Sequence, residues 1–150
     1  MTRILIDADA CPVKEEIYKV ALRHKVSVTV VSNSPIRVPQ SALISRKLVS
    51  DAFDAADDWI VENTDASTVV ITADILLADR CLKLGASVVA PNGKPFTTSS
   101  IGGAIATRAI MADLRANGDV VGGPPPFSKQ DRSRFLSSLD EMLVKLARRG

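Results

Sequence analysis

The chain has 150 residues, 46% of them apolar and 24% charged, and a formal net charge of +2. That size and apolar content suit one packed domain and exclude a disordered polymer, and no stretch approaches the roughly 18 continuous apolar residues of a membrane-spanning helix. The opening RILIDAD shows no succession of charged, apolar and cleavable regions, so a cytoplasmic protein with no membrane partner is the expectation.

RILID is a short apolar run that reads as a strand, and Pro12 then opens a helical pattern with Val13, Ile17, Val20 and Ala21 on one face. VSVTVVSN is β-branched and reads as a second strand, followed by the proline-containing loop SPIRVPQS. The segment from there to Val49 has no clear period. FDAADDWIVEN reads as a helix, TVVITAD as a buried strand ending in an aspartate, ILLADRCLKLG as a helix closed by Gly85, and ASVVAPNG as a strand running into a turn. A helix is expected from Ser100 to Asn117, then the breaker GDVVGGPPP. The last helix begins at Ser128 with a capping box to Asp131 and presents Phe135, Leu139, Met142, Leu143 and Leu146 as its apolar stripe. Strands alternating with helices imply a three-layer α/β/α domain with a mostly parallel sheet, a single unit over residues 1–150 with the helix of about 128–149 packed on it.

Charge is spread unevenly along this pattern. Residues 1–50 carry 8 Lys and Arg against 4 Asp and Glu, residues 51–100 carry 3 against 8, and residues 101–150 carry 8 against 5. An acidic middle between basic flanks matches an acidic metal centre bordered by phosphate-binding groups, although solvated surface charge gives the same profile.

The acidic residues fall where ligands bind in such folds, beyond the carboxyl ends of the strands. Asp7 and Asp9 follow the first strand and Asp74 follows VVIT, with Asp79 about one turn further on. Between them, Asp54, Asp57 and Asp58 share one face of a helical turn. Carboxylates gathered at one rim repel by up to about 4 kcal/mol per pair at about 4 Å. A hard divalent cation offsets that repulsion, and Mg²⁺ characteristically takes one or two carboxylates together with waters and phosphate oxygens. With Mg²⁺ or Mn²⁺ in place, phosphodiester hydrolysis needs no His or Cys. The lone histidine, His24, sits in a charged helix end and is expected to face solvent. The competing reading makes Asp7 and Asp9 caps of the first helix and the Asp54–Asp58 run a solvated face.

Of the two cysteines, Cys11 and Cys81, Cys11 stands at an expected helix start, where a lowered pKa would make it nucleophilic. The Cys-x5-Arg signature fails because Ile17 occupies the arginine position, so packing is the favoured role.

The combination DADACP, RVP, FDAADDWIV, ITADILLA, the Arg108–Arg115 helix and GGP with FSKQDRSRF resembles the bacterial YaiI/YqxD family over nearly the whole chain. That family is in turn similar to PIN-like domains, metal-dependent ribonucleases with a parallel sheet and acids at its rim. The resemblance implies a site of Asp7, Asp54, Asp57 and Asp74, with Asp9 and Asp79 as further metal ligands. Leu76 stands where many relatives have proline.

Phosphate contacts are expected from Arg37, from Arg108 and Arg115 seven apart on one helix, and from Lys129, Arg132 and Arg134. The hydroxyls of Thr98, Ser99 and Ser100 precede a helix start suited to phosphate, or simply cap it. The function that follows is metal-assisted hydrolysis of a nucleic acid, RNA in preference to DNA, with Mg²⁺ or Mn²⁺ as cofactor. Two alternatives stand beside it. One is a haloacid dehalogenase-type phosphatase with Asp7 as nucleophile, Asp9 as acid/base and Thr72 in its second motif. The other is a catalytically silent module that binds nucleic acid or a protein partner.

Overall fold

A computed structural model describes residues 1–9, 11–52, 54–118 and 127–149. The β-branched runs pair side by side: β1 (Arg3–Asp7), β2 (Ser27–Ser32), β3 (Ile44–Leu48), β4 (Thr68–Ile71), β5 (Ser87–Val89) and the two-residue β6 (Pro95–Phe96) form one sheet in the order β3-β2-β1-β4-β5-β6. The first five are parallel and β6 runs antiparallel to β5. The helices are α1 (Lys14–His24), α2 (Ala55–Glu62), α3 (Ile75–Leu82), α4 (Ile101–Ala116) and α5 (Lys129–Arg149).

Alternation along the strands sends side chains to two cores. Ile4, Ile6, Val28, Val30, Val69 and Ile71 pack under α1 and α5, whereas Leu5, Val31, Val70 and Val88 pack under α2, α3 and the start of α4. The result is the expected three-layer α/β/α architecture with a mostly parallel sheet. Each fully buried Ile or Leu of these layers contributes roughly 1.5–3 kcal/mol of transfer free energy.

α5 docks through the anticipated stripe, with Phe135, Leu139, Leu143 and Leu146 buried and Met142 packed against them. Its capping box is reciprocal: Asp131 N donates to Ser128 Oγ at 3.1 Å and Ser128 N donates to Asp131 Oδ2 at 3.0 Å. The turn between β5 and β6 is seated against this helix. Gly93 there has φ +89°, and a Cβ on it would lie 2.5 Å from the carbonyl carbon of Arg134. Ser138 Oγ adds a hydrogen bond of 2.6 Å to the Gly93 carbonyl.

Several expectations needed adjustment. The aperiodic segment before Val49 contains β3, whose sequence ISRKL buries only Ile44; it is an edge strand, paired on one side alone, and its exposed Arg46 and Lys47 blunt the open edge. α1 begins at Lys14, two residues after Pro12. His24 does not simply face solvent: it is half-buried, its Nε2 lying 2.6 Å from Asp140 Oδ1, so that with Arg23 it ties α1 to α5. The breaker beyond Gly118, with the GGP of the family motif, lies outside the described residues, as do Ala10 and Phe53.

Candidate active site

The chain leaves β1 toward β2 on one side, while β4 lies on the other side of β1. The segments following β1 and β4 therefore diverge, opening the crevice in which doubly wound sheets bind ligands. Asp7 ends β1 and, two residues beyond Leu5, shares the sheet face covered by α2 and α3.

Thr72, 1% exposed just after β4, links the two strand ends. Its Oγ1 donates to Asp7 Oδ2 at 2.9 Å and accepts from Asp74 N at 3.0 Å. Asp74 in turn caps α3, its Oδ1 accepting from Leu76 N at 2.9 Å and Leu77 N at 3.3 Å. The cap fixes this carboxylate and engages one of its oxygens. The alternative in which Asp7 and Asp9 cap the first helix is not seen: the cap position of α1 is Val13, with no side-chain cap bond.

Asp54 occupies the cap position of α2 in the left-handed region, φ 63°, and its side chain makes no cap bond. An aspartate tolerates this backbone better than most residues. Asp57 follows one turn later, partly buried, and its pKa is pushed up to about 6 by burial and by the charges of Asp74, Asp7 and Asp54, with Arg80 acting in the opposite sense. Burial also raises the pKa of Asp7, against the hydrogen bond from Thr72 and with the charges of Asp9 and Asp74. These causes place Asp7, Asp54, Asp57 and Asp74 in one electrostatic group, with Asp9 exposed at its border.

Asp58 and Asp79 stand apart from that group. Asp58 pairs with Arg80 at 3.1 Å and Asp79 with Lys83 at 3.0 Å along α3. Among the described residues no three His, Cys, Asp or Glu side chains converge as a ready-made metal cage. The donors available are hard carboxylate oxygens with no thiolate or imidazole among them. Such a set fits Mg²⁺ or Mn²⁺ held by one or two carboxylates and completed by water, rather than a closed all-protein site.

Cys11 is 7% exposed within the core under α1 and α5, where burial pushes its thiol up. That is the packing role, and it removes the basis for a low-pKa nucleophile.

The expected phosphate contacts are dispersed. Arg37 is exposed on the loop after β2, in an open groove with Ile36, Val38 and Arg46. Arg108 and Arg115 are exposed on α4 and Lys129 on the first turn of α5. Arg132 is committed to structure, donating to the Pro12 carbonyl at 2.9 Å and to Glu16 Oε1 at 3.0 Å while its guanidinium lies 4.9 Å from the Phe127 ring. Thr98 lies with Gly85, Ala86 and Ser87 at the amino end of β5, so it and the neighbouring Ser99 and Ser100 stand away from the carboxylate rim. Ser100 at the cap position of α4 makes no side-chain cap bond; it pairs instead with Thr97, Thr97 N donating to Ser100 Oγ at 3.2 Å and Ser100 N to Thr97 Oγ1 at 3.1 Å. Thr72 is the residue underweighted by the sequence reading; its polar side chain at the buried end of VVIT was the available signal.

Comparison with known proteins agrees with the sequence motifs. Residues 5–145 match the model of a family described as an uncharacterized BCR, the YaiI/YqxD family. A UPF0178 protein of Sphingopyxis alaskensis is 70% identical over 97% of this chain and 95% of its own length. Relatives from Bradyrhizobium diazoefficiens, at 58% over 99% of this chain and 89% of their own, and from Rhodopseudomonas palustris, at 56% over 99% and 94%, carry the same designation. No solved structure matches the chain. With motifs, family model and full-length relatives in agreement, the chain belongs to the YaiI/YqxD family.

Proposed function

We propose that the chain is a metal-dependent nuclease that hydrolyses phosphodiester bonds, with RNA as its substrate class. The observation that carries this reading is the placement of Asp7 and Asp74 at the two strand ends that flank the switch point of the sheet, joined through Thr72, with the pKa of Asp57 pushed up to about 6 by burial and then by the charges of Asp74, Asp7 and Asp54. Mutual repulsion of that kind favours a divalent cation. The resemblance of the family to PIN-like ribonucleases supports the same assignment.

Asp7 and Asp74 would hold the ion, Asp7 through the oxygen that Thr72 leaves free and Asp74 through the oxygen not used in the cap. When bound, Mg²⁺ or Mn²⁺ supplies a nucleophile at neutral pH and stabilises charge on the leaving oxygen. Asp57, with a pKa near the working pH, would accept a proton from the attacking water, and Asp54 would orient that water. Arg37 and Arg108 would contact the phosphates of the polymer.

The phosphatase alternative needs a lysine close to Asp7 and Thr72, whereas Lys83 is tied to Asp79. The test is a panel of labelled RNA and DNA strands incubated with Mg²⁺ or Mn²⁺, comparing wild type with Asp7→Asn. Cleavage of RNA by wild type and its loss in Asp7→Asn support the reading. Release of phosphate from small phosphomonoesters without any polynucleotide cleavage would replace it with the phosphatase, and inactivity toward both classes would favour the silent binding module.

A further inference from the structure

α4 is twice as long as α3, against which it packs, and among the described residues only its first turns have a partner. Ile101 is buried and Ile105 packs on the core of α2 and α3, but every residue from Ala106 to Gly118 is exposed. This second half nevertheless carries Ile110, Met111 and Leu114 at exposures of 59%, 37% and 36%. A helix of about three turns solvated on all sides is marginal in water by itself, and three large apolar side chains within five positions form a patch of the kind that marks an interaction surface.

The chain carries a surface of opposite character. The rim at the carboxyl ends of the strands presents Asp7, Asp9, Asp54, Asp57 and Asp74, and exposed apolar residues flank it: Leu48 at the end of β3, 57% exposed, and Leu76 in the first turn of α3, 44% exposed. Of the cations near the rim, Arg80 pairs with Asp58 and Lys83 with Asp79, and Lys47 stands exposed beside Leu48, so the acids there outnumber the bases. The α4 arm has the opposite balance. Arg108 and Arg115 stand two turns apart beside the apolar residues, against a single acid, Asp113.

We propose that the second half of α4 docks on the carboxylate rim of a second copy of this chain, in a reciprocal dimer. Ile110, Met111 and Leu114 cover the partner's Leu48 and the partner's Leu76, and Arg108 and Arg115 stand over the partner's acids. A two-fold arrangement makes the contact twice, which doubles the area one short helix can bury and leaves no arm uncovered. Nucleic acid alone is a poorer occupant, because Ile110, Met111 and Leu114 offer nothing to phosphate. On the nuclease reading, from which this step takes its functional sense, the arginines that contact the substrate phosphates at one site belong to the other copy.

The test uses the full chain and needs no activity. Leu76→Cys and Leu114→Cys are made separately, mixed and oxidised; the native Cys11 and Cys81 are buried and stay out of the reaction. The expected result is a disulfide-linked heterodimer in the mixture, with much less disulfide-linked homodimer in either variant alone. Light scattering at about 100 µM should give twice the chain mass for wild type and the single mass for Ile110→Asp/Leu114→Asp, with an unchanged circular dichroism spectrum. A wild type that is monomeric at that concentration overturns the proposal, as does a Leu76→Cys/Leu114→Cys double variant that crosslinks only within one chain. A wild type that dimerises in this way but cleaves no polynucleotide in the separate assay counts against the catalytic reading and leaves the dimer standing.

Discussion

Asp57→Asn should make the metal-free protein more stable at pH 8. The carboxyl of Asp57 has its folded pKa raised from 3.8 to about 6, chiefly by burial and then by Asp74, Asp7 and Asp54. A raised folded pKa favours the protonated group in the native state. Its contribution is therefore fully present below the unfolded value near 3.8 and is lost as pH rises through about 6, above which an ionised Asp57 opposes folding. The gap corresponds to roughly 3 kcal/mol at full strength, and because the side chain is partly exposed, screening leaves about 1–2 kcal/mol. Among the described residues the Asp57 side chain makes no hydrogen bond that asparagine, which is nearly isosteric, would lose. Urea unfolding at pH 8 without divalent ions should show the variant more stable by that amount, or higher in Tm by roughly 2–8 °C, and the two proteins should converge at pH 4. Addition of Mn²⁺ should stabilise wild type more than the variant. A variant less stable than wild type at pH 8 would show that the acids do not press on one another as described.

Thr72→Val preserves volume but leaves Asp7 Oδ2 without its donor and Asp74 N without its acceptor, so denaturant unfolding should show a loss of about 1–3 kcal/mol, with Thr72→Ser close to wild type. Asp74→Ala should lose about 1 kcal/mol with the α3 cap, whereas Asp74→Asn should keep most of the stability and still bind Mn²⁺ less well, a separation visible by running melting curves with and without the ion. Gly93→Ala places a methyl 2.5 Å from the backbone of α5 at a positive φ and should cost about 2 kcal/mol or more, read as a lower Tm without change in Mn²⁺ affinity.

The central sheet was legible because β1, β2, β4 and β5 are β-branched runs buried on both faces, and α5 because its capping residues and its stripe are both explicit in the sequence. β3 was not, since an edge strand with Arg46 and Lys47 outward carries neither alternation nor an apolar run. The aspartates could be placed at strand ends from order alone, and the structure puts Asp7, Asp54, Asp57 and Asp74 within electrostatic reach of one another. Spacing could not reveal that Asp58 turns to Arg80, or that Asp79 turns to Lys83. Those choices depend on how α2 and α3 pack, a tertiary matter. The position of Thr98–Ser100 is a tertiary matter too: the antiparallel β6 carries their helix start to the end of the sheet opposite the carboxylates.

The carboxylate site is tested most directly by titrating Mn²⁺ into wild type and Asp7→Asn while following the paramagnetic resonance of the free ion. The account predicts depletion of the free-ion signal by wild type at neutral pH, weakening as pH falls through about 6 with protonation of Asp57, and little depletion by Asp7→Asn. Equal binding by both proteins, or none by wild type, would contradict a divalent-cation site at the ends of β1 and β4.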